Sequence, residues 1–343
     1  MAPMRRAVFS QRWYLCRWTL AGLLLVLAGG TAEADDGEVA LLLTSSDAYE
    51  KVAASVQEHL VQAGHRCDVI KFRIGKADSS DAEAGSSDSR HETTDTSLEP
   101  DAAAARLRES KPRVVVAVGT AATSLAIDTV KDTPVVFCMV PNIEDRPFAA
   151  DIPKQRLYGL AIDVDPREQL RWIKRLSPEV RTLGVPHSTR TEKTVEVIAQ
   201  AARAEELAVH AITASREQFP AAIEALDKKG CDGVLMIADA EVYDSPTAQR
   251  LLLWGLRNRK PVWAFSPNVV KAGAFAAVYA DPGATAQEIS GVVLGLLTDA
   301  TAATPGTRFP SRLLTAVNER TAEMIGIRLG KDVLLDIPVR FGQ

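Results

Sequence analysis

The stretch Val114-Val115-Val116-Ala117-Val118-Gly119-Thr120-Ala121-Ala122-Thr123 decides the fold. Its five consecutive apolar residues show no polar alternation. Such a run reads as a strand buried on both faces, as in a parallel sheet covered by helices. Gly119-Thr120 ends the run, and a helix is expected from about Ala121 to Val130. A second apolar run, Pro134 to Val140, ends in Pro141-Asn142. Strand, helix and strand at this spacing predict a parallel β-α-β unit.

The same alternation extends upstream. Val39 to Leu43 reads as a strand ending in Thr44-Ser45-Ser46. Asp47 and Glu50 then stand at capping-box spacing. Val52, Val56, Leu60 and Ala63 share one helical face, which Gly64 closes. Cys67 to Ile74 reads as a strand, and Asp101 to Ser110 as a short helix. Between them, residues 75–99 are rich in Ser, Asp, Glu, Thr and Ala and poor in large apolar residues. A segment of that composition buries too little surface to offset its ordering entropy, so a disordered acidic insertion is expected. His91 and Glu92 lie within it, without further ligands at metal-binding spacing.

A second series runs downstream. Asp165-Pro166-Arg167-Glu168 combines an N-cap, a proline at the first helical position and a glutamate that closes the box. Strands are expected at Val180–Val185, Val209–Thr213, Gly233–Ala238 and Pro261–Phe265. Helices are expected after Thr189/Glu192, Ser215/Gln218, Ser245-Pro246 and Asp281-Pro282. The fold class is therefore α/β, with two units of similar layout. A chain of 343 residues suits two lobes of roughly 130–150 residues each.

Residues 1–34 differ from the rest. Arg5, Arg6, Arg12 and Arg17 precede a short apolar run, Leu20 to Ala28, and Ala32-Glu33-Ala34 offers small residues at a cleavage site. This is the pattern of a secretory signal peptide. The apolar run is about half of the ~20 residues that span a bilayer, so a cleaved signal is expected, the alternative being a retained N-terminal anchor. No cysteine follows it, so a freely diffusing periplasmic protein is expected rather than a lipoprotein. Cys67, Cys138 and Cys231 remain, an odd number without metal-like spacing, and are read as small buried thiols.

Composition narrows the function. The net charge of −4 gives no basic footprint for nucleic acid. Walker, G-x-S-x-G and H-E-x-x-H motifs are absent from the sequence, so neither catalytic residues, metal ligands nor cofactors are assigned. His187 beside Ser188 is expected to be a rim residue, because chain neighbours seldom adopt triad geometry. In open parallel sheets, ligands bind beyond the carboxyl ends of the strands. Here those ends carry Ser45, Ser46, Thr120, Asn142, Ser188, Thr189, Asp239 and Ser266. Hydroxyl and amide groups beside helix N-termini suit a small polar ligand with a carboxylate. The same residue types are also ordinary helix caps. Tyr49 and Tyr243, just past strand ends, could cover a ligand or pack at a hinge, while Trp172, Trp254 and Trp263 read as core.

The stretch from Val114 to Thr123, with Thr133 to Phe137, resembles the first lobe of ABC-transporter substrate-binding proteins of the tryptophan/tyrosine type. Phe265 to Ala274 followed by Tyr279 to Pro282 is similar to that family's return segment, and Ala316 to Gly326 to its closing helix. The resemblance spans about residues 38–335. It implies a periplasmic binding protein class I-like fold, with two Rossmann-like lobes with parallel sheets joined by a three-strand hinge. The first lobe would be 35–158 plus 268–304, and the second 159–267 plus 305–343. It also implies that Ala121 and Lys271 join the ligand-binding set. The partners would be a small-molecule ligand, amino acid-like or another small carboxylate, and an inner-membrane ABC permease with its ATPase. A monomer without enzymatic activity is expected; the alternative is an extracytoplasmic ligand-sensing module for a signalling receptor.

Overall fold

The computed structural model describes residues 39–73, 97–150, 156–299, 301 and 303–342. All of them belong to one compact unit, residues 36–343. The signal-peptide segment and the greater part of the acidic insertion lie outside the described residues.

Two sheets organise the described residues. The first has the order β11 (Gly306–Arg308), β5 (Leu157–Leu160), β4 (Val135–Cys138), β3 (Val114–Val118), β1 (Val39–Thr44), β2 (Cys67–Phe72), and all its pairings are parallel. The second has the order β13 (Val339–Phe341), β12 (Leu313–Asn318), β10 (Ala276–Ala280), β9 (Val262–Ala264), β8 (Gly233–Leu235), β6 (Thr182–His187), β7 (Ala208–Thr213). It is parallel except where β12 runs antiparallel to β10.

Strand alternation explains why the apolar runs are unbroken. Val39, Leu41 and Leu43 of β1 and Val114, Val116 and Val118 of β3 point to one face of the first sheet. There they pack on α1 (Asp47–Gln62) and α9 (Pro282–Thr298). Ala40, Leu42, Val115 and Ala117 point to the other face, beneath α2 (Pro100–Ser110) and α3 (Thr120–Thr129). Successive side chains of a strand face opposite sides, so a sheet covered on both sides needs apolar residues at every position. The second sheet is covered likewise. On one side lie α4 (Pro166–Leu176), α5 (Glu192–Ala204) and α10 (Glu319–Ile325). On the other lie α6 (Phe219–Lys228), α7 (Ser245–Asn258) and α8 (Pro267–Lys271). A short α11 (Lys331–Leu335) precedes β13.

Among the described residues the chain passes between the sheets three times, over residues 161–165, at residue 281 and over 309–312. These crossovers are tied to one another. The Ala161 amide donates to the Arg308 carbonyl, the Asp281 amide donates to the Arg312 carbonyl, and the Arg312 guanidinium pairs with the Asp281 carboxylate at 3.2 Å. The expected division into 268–304 and 305–343 is therefore corrected. The strand β10 belongs to the second sheet and α8 packs there, whereas α9 and β11 return to the first. Likewise β5 completes the first sheet, so the first crossover follows Leu160 rather than Tyr158.

Other local expectations are also revised. Ala316–Asn318 is strand rather than helix, and only Glu319–Ile325 is helical. The closing turn of the insertion is structured: Leu98 exchanges backbone hydrogen bonds with Lys71 and Arg73, and the Ser97 hydroxyl lies 2.7 Å from that of Ser45. At α1 the N-cap is Ser46, not Asp47, and its side chain makes no capping bond. Asp165 caps α4 with Pro166 at its first position as expected, its carboxylate accepting from the Arg167 amide, but Glu168 closes no box and instead accepts from Arg171. Cys138 and Cys231 are buried and Cys67 half-buried, all as free thiols. Burial pushes the Cys138 thiol up to about 12, which keeps it protonated and inert.

Candidate functional site

The carboxyl ends of β1, β3 and β4 in the first lobe and of β6, β8 and β9 in the second carry the expected polar residues. The turn after β3 is built on Gly119. Its φ of +93° is a conformation that residues with a side chain rarely adopt. A Cβ there would lie 2.6 Å from the Tyr49 ring, which packs against the turn. Tyr49 is thus 9% exposed and braces the loop. With glycine as its N-cap, α3 begins without a side-chain cap, and Thr120 is its first residue. Thr120 is 8% exposed, and its hydroxyl is buried without a hydrogen-bond partner. Thr123 instead turns back to the Gly119 carbonyl.

Beyond β4 the chain makes a tight loop through two left-handed residues, Met139 and Asn142. Asn142 is 2% exposed. Its backbone amide donates to the Asp163 carboxylate at 2.5 Å, and its side-chain Nδ2 donates to the Ala238 carbonyl of the second lobe at 2.6 Å. Its Oδ1 is buried and has no partner. A buried polar oxygen without a partner costs about 1–3 kcal/mol. Native proteins keep few such groups, so two at one end of one sheet call for an explanation.

Asp163 was not legible as a site residue. It lies on the first crossover, and burial pushes its carboxyl up to about 6. The Asn142 and Ile143 amides and the Arg146 charge pull the other way, and the Asp145 charge adds to the rise. Asp145 was also missed. Its carboxylate accepts from the Lys193 and Thr194 amides at 2.9 Å and from the Thr194 hydroxyl at 2.6 Å. These donors open α5, in the other lobe. The expected Thr189/Glu192 capping box does not form: Thr189–Thr191 is a 3-10 turn, and the N-cap Thr191 makes no side-chain capping bond.

In the second lobe Asp239 organises the loops instead of facing a ligand freely. One carboxylate oxygen accepts from the Ser188 amide at 2.7 Å and from the Thr191 hydroxyl at 2.7 Å; the other accepts from the Glu241 amide at 3.0 Å. Ser188 is buried and caps the 3-10 turn, and Thr189 is exposed. The His187 ring meets the Ser188 carbonyl at 2.9 Å rather than the Ser188 hydroxyl. Tyr243 is corrected from a possible ligand cover to core. It is 1% exposed, its hydroxyl donates to the Pro186 carbonyl, and its ring meets Phe219 edge-on. Burial and the Asp239 charge hold its phenol well above the usual range. Ser45 is exposed, while Ser46, Ala121 and Ser266 are partly exposed at helix starts. Lys271 is exposed at the far end of α8, away from the helix start that follows β9.

Among the described residues no group of three or more His, Cys, Asp or Glu side chains is arranged to hold a metal ion. None of their helices is long and apolar enough to cross a membrane. A groove of about 440 Å³ lies elsewhere, between the end of β7 and α6, lined by Ile212, Thr213, Glu217, Gln218 and Pro220.

Comparison with known proteins places this geometry in context. A family model described as ABC transporter substrate binding protein matches residues 77–336. Solved structures share the fold over 89% of this chain. A substrate binding protein with adhesive properties from Clostridium difficile, in a ligand-free open structure, superposes with a TM-score of 0.66 at 16% identity over 98% of its own chain. A conserved domain protein from Vibrio cholerae gives 0.63 at 16% identity over 99% of its chain. An ABC domain from Streptococcus pneumonia in complex with L-Trp gives 0.60 at 17% identity over 100% of its chain. No curated protein matches the sequence.

Proposed function

Because the chain belongs to the ABC transporter substrate binding protein family, we propose that it captures a small polar ligand between its lobes and hands it to an inner-membrane ABC permease with its ATPase. The family is solute-binding and non-catalytic. One observation carries the placement of the ligand: the unpartnered buried oxygens of Thr120 and Asn142. Both stand at the carboxyl ends of neighbouring strands, where an open parallel sheet receives its ligand. The Thr120 hydroxyl can donate, beside the uncapped start of α3, and together they suit a carboxylate. The Asn142 Oδ1 only accepts, so it calls for an N–H or O–H group on the ligand. A ligand bearing both kinds of group, such as an amino acid, satisfies the pair. Ser45, Ser46, Ser188, Thr189 and Ser266, with the backbone amide of Ala121 in the first turn of α3, supply further polar contact from the loops around it.

Residues 1–34 act as the export signal in this reading, and the protein works as a freely diffusing periplasmic monomer. The experiment is a thermal-shift screen of ligand-stripped protein against amino acids, small organic acids, nucleosides and sugars. The L-Trp held by the Streptococcus neighbour puts amino acids first in the panel. A ligand at 100 times its Kd adds about 2.7 kcal/mol of stability. One compound class should shift the melting point, and Thr120→Val should remove the shift. A shift that survives both Thr120→Val and Asn142→Ala would place the ligand elsewhere and overturn this site.

A further inference from the structure

The loop after β4 reaches across the junction between the lobes, and we propose that Asp145 is a latch that sets the balance between open and closed lobes by capping helix α5 from the opposite lobe. The geometry is that of a helix cap supplied in trans. The first amides of a helix have no partner within it, and a short acidic side chain before the helix normally satisfies them. Here the N-cap position, Thr191, makes no such bond. Asp145 supplies the bonds instead, with one carboxylate oxygen on Lys193 N and the other on Thr194 N and Oγ1. Its negative charge also meets the positive end of a helix of 13 residues.

Asp145 does not act alone. It ends a 3-10 turn, Ile143–Asp145, that begins beside Asn142. Asn142 makes the second bridge between lobes, through Nδ2 to the Ala238 carbonyl. Asp163, on the first crossover, holds the Asn142 amide. The hinge, the loop and the start of α5 therefore form one hydrogen-bonded chain. Opening the lobes breaks the Asp145 and Ala238 bonds and leaves the start of α5 without its cap. The latch needs no ligand, so ligand-free protein spends part of its time closed. Asp145 is in this sense a positioning residue: it stabilises the state in which the other lobe's groups meet a ligand, without touching the ligand.

The test uses protein freed of ligand by unfolding and refolding, so failure to identify a ligand leaves it unaffected. Amide hydrogen exchange resolved to single residues should show Lys193 and Thr194 protected in the unaltered chain, although first-turn amides ordinarily exchange freely. Asp145→Ala should lower that protection about tenfold, the size of one lost cap, and should raise the radius of gyration measured by small-angle X-ray scattering. Asp145→Asn, which keeps one acceptor, should fall between the two. Thr194→Val removes only the hydroxyl bond and should give a smaller loss, which keeps the test open if Asp145→Ala folds poorly. Free exchange of both amides in the unaltered chain would overturn the latch. So would a fall in protection with no change in the radius of gyration, because Asp145 would then be a cap and nothing more.

Discussion

At the scale of single residues, the site combines groups that are satisfied with groups that are not. Thr120 buries a hydroxyl that bonds to nothing in the chain. Replacing it by valine exchanges that hydroxyl for a methyl of the same shape, which removes a desolvation cost of about 1–3 kcal/mol. Thr120→Val is therefore expected to leave the ligand-free protein as stable or more stable in urea denaturation, even as it loses the ligand-induced shift. A functional residue and a structural one part ways on this measurement, since removing a structural hydroxyl lowers stability. Asp163 gives a second residue-scale expectation. Its folded-state carboxyl is raised to about 6, above its ordinary 3.8. Between these values the folded protein binds the proton that the unfolded chain has released, so this group's contribution to stability falls as pH rises from about 4 through 6. Asp163→Asn cannot ionise and should flatten that fall. Melting temperatures of both proteins at intervals from pH 4 to 7 decide it; parallel curves would mean that Asp163 titrates normally.

At the scale of elements, two glycines, Gly119 beside Tyr49 and Gly159 beside Phe137, fix how strands meet rings. Gly159 lies in β5, and a Cβ there would stand 2.0 Å from the Phe137 ring on the neighbouring strand. Phe137 is in turn held edge-on by Phe148 and is fully buried, so it has little room to move. Gly159→Ala is expected to destabilise the protein by about 1–3 kcal/mol, as overpacking does, read as a lower urea midpoint at unchanged m-value. The elements also show where the sequence was legible. Unbroken runs such as Val114–Val118 declare a two-sided sheet because every position must be apolar. Asp165-Pro166 and Asp281-Pro282 declare helix starts because their caps lie within a few residues of the amides they serve. The strand β10 was harder to see. Its alanines, Ala276, Ala277 and Ala280, suit a helix as readily as a strand, and only pairing with β9 and β12 settles it. The start of α5 was misread for a related reason: its capping group is Asp145, 47 positions before Glu192 in the chain, where no local pattern reaches. The same holds for Asp163, whose role arises from an amide brought to it by the turn after β4.

At the scale of the whole molecule, the two lobes carry separate cores and meet through crossovers and a few polar bonds. Each core gains about 1.5–3 kcal/mol from every large apolar side chain it buries, so lobe integrity does not depend on the junction. Only relative lobe position does. This separation lets a single surface carboxylate matter to binding without mattering much to folding. If a ligand enters the open cleft and is held only once the lobes close, its apparent affinity scales with how far the closing equilibrium favours the closed state. Asp145→Ala, by lowering that fraction, should weaken binding of the compound that shifts the melting point most, by up to about tenfold. The loss should appear mainly as faster release, because closed complexes open more readily while encounter with the open cleft is unchanged. Thr120→Val acts through the ligand itself and should weaken binding independently, so the two effects should add in a double-mutant cycle. Isothermal titration of the four proteins measures this, with stopped-flow release as the kinetic check. Additive losses would mean that contact and closure are separate contributions. A strong coupling between the two residues would instead place Asp145 in direct touch with the ligand.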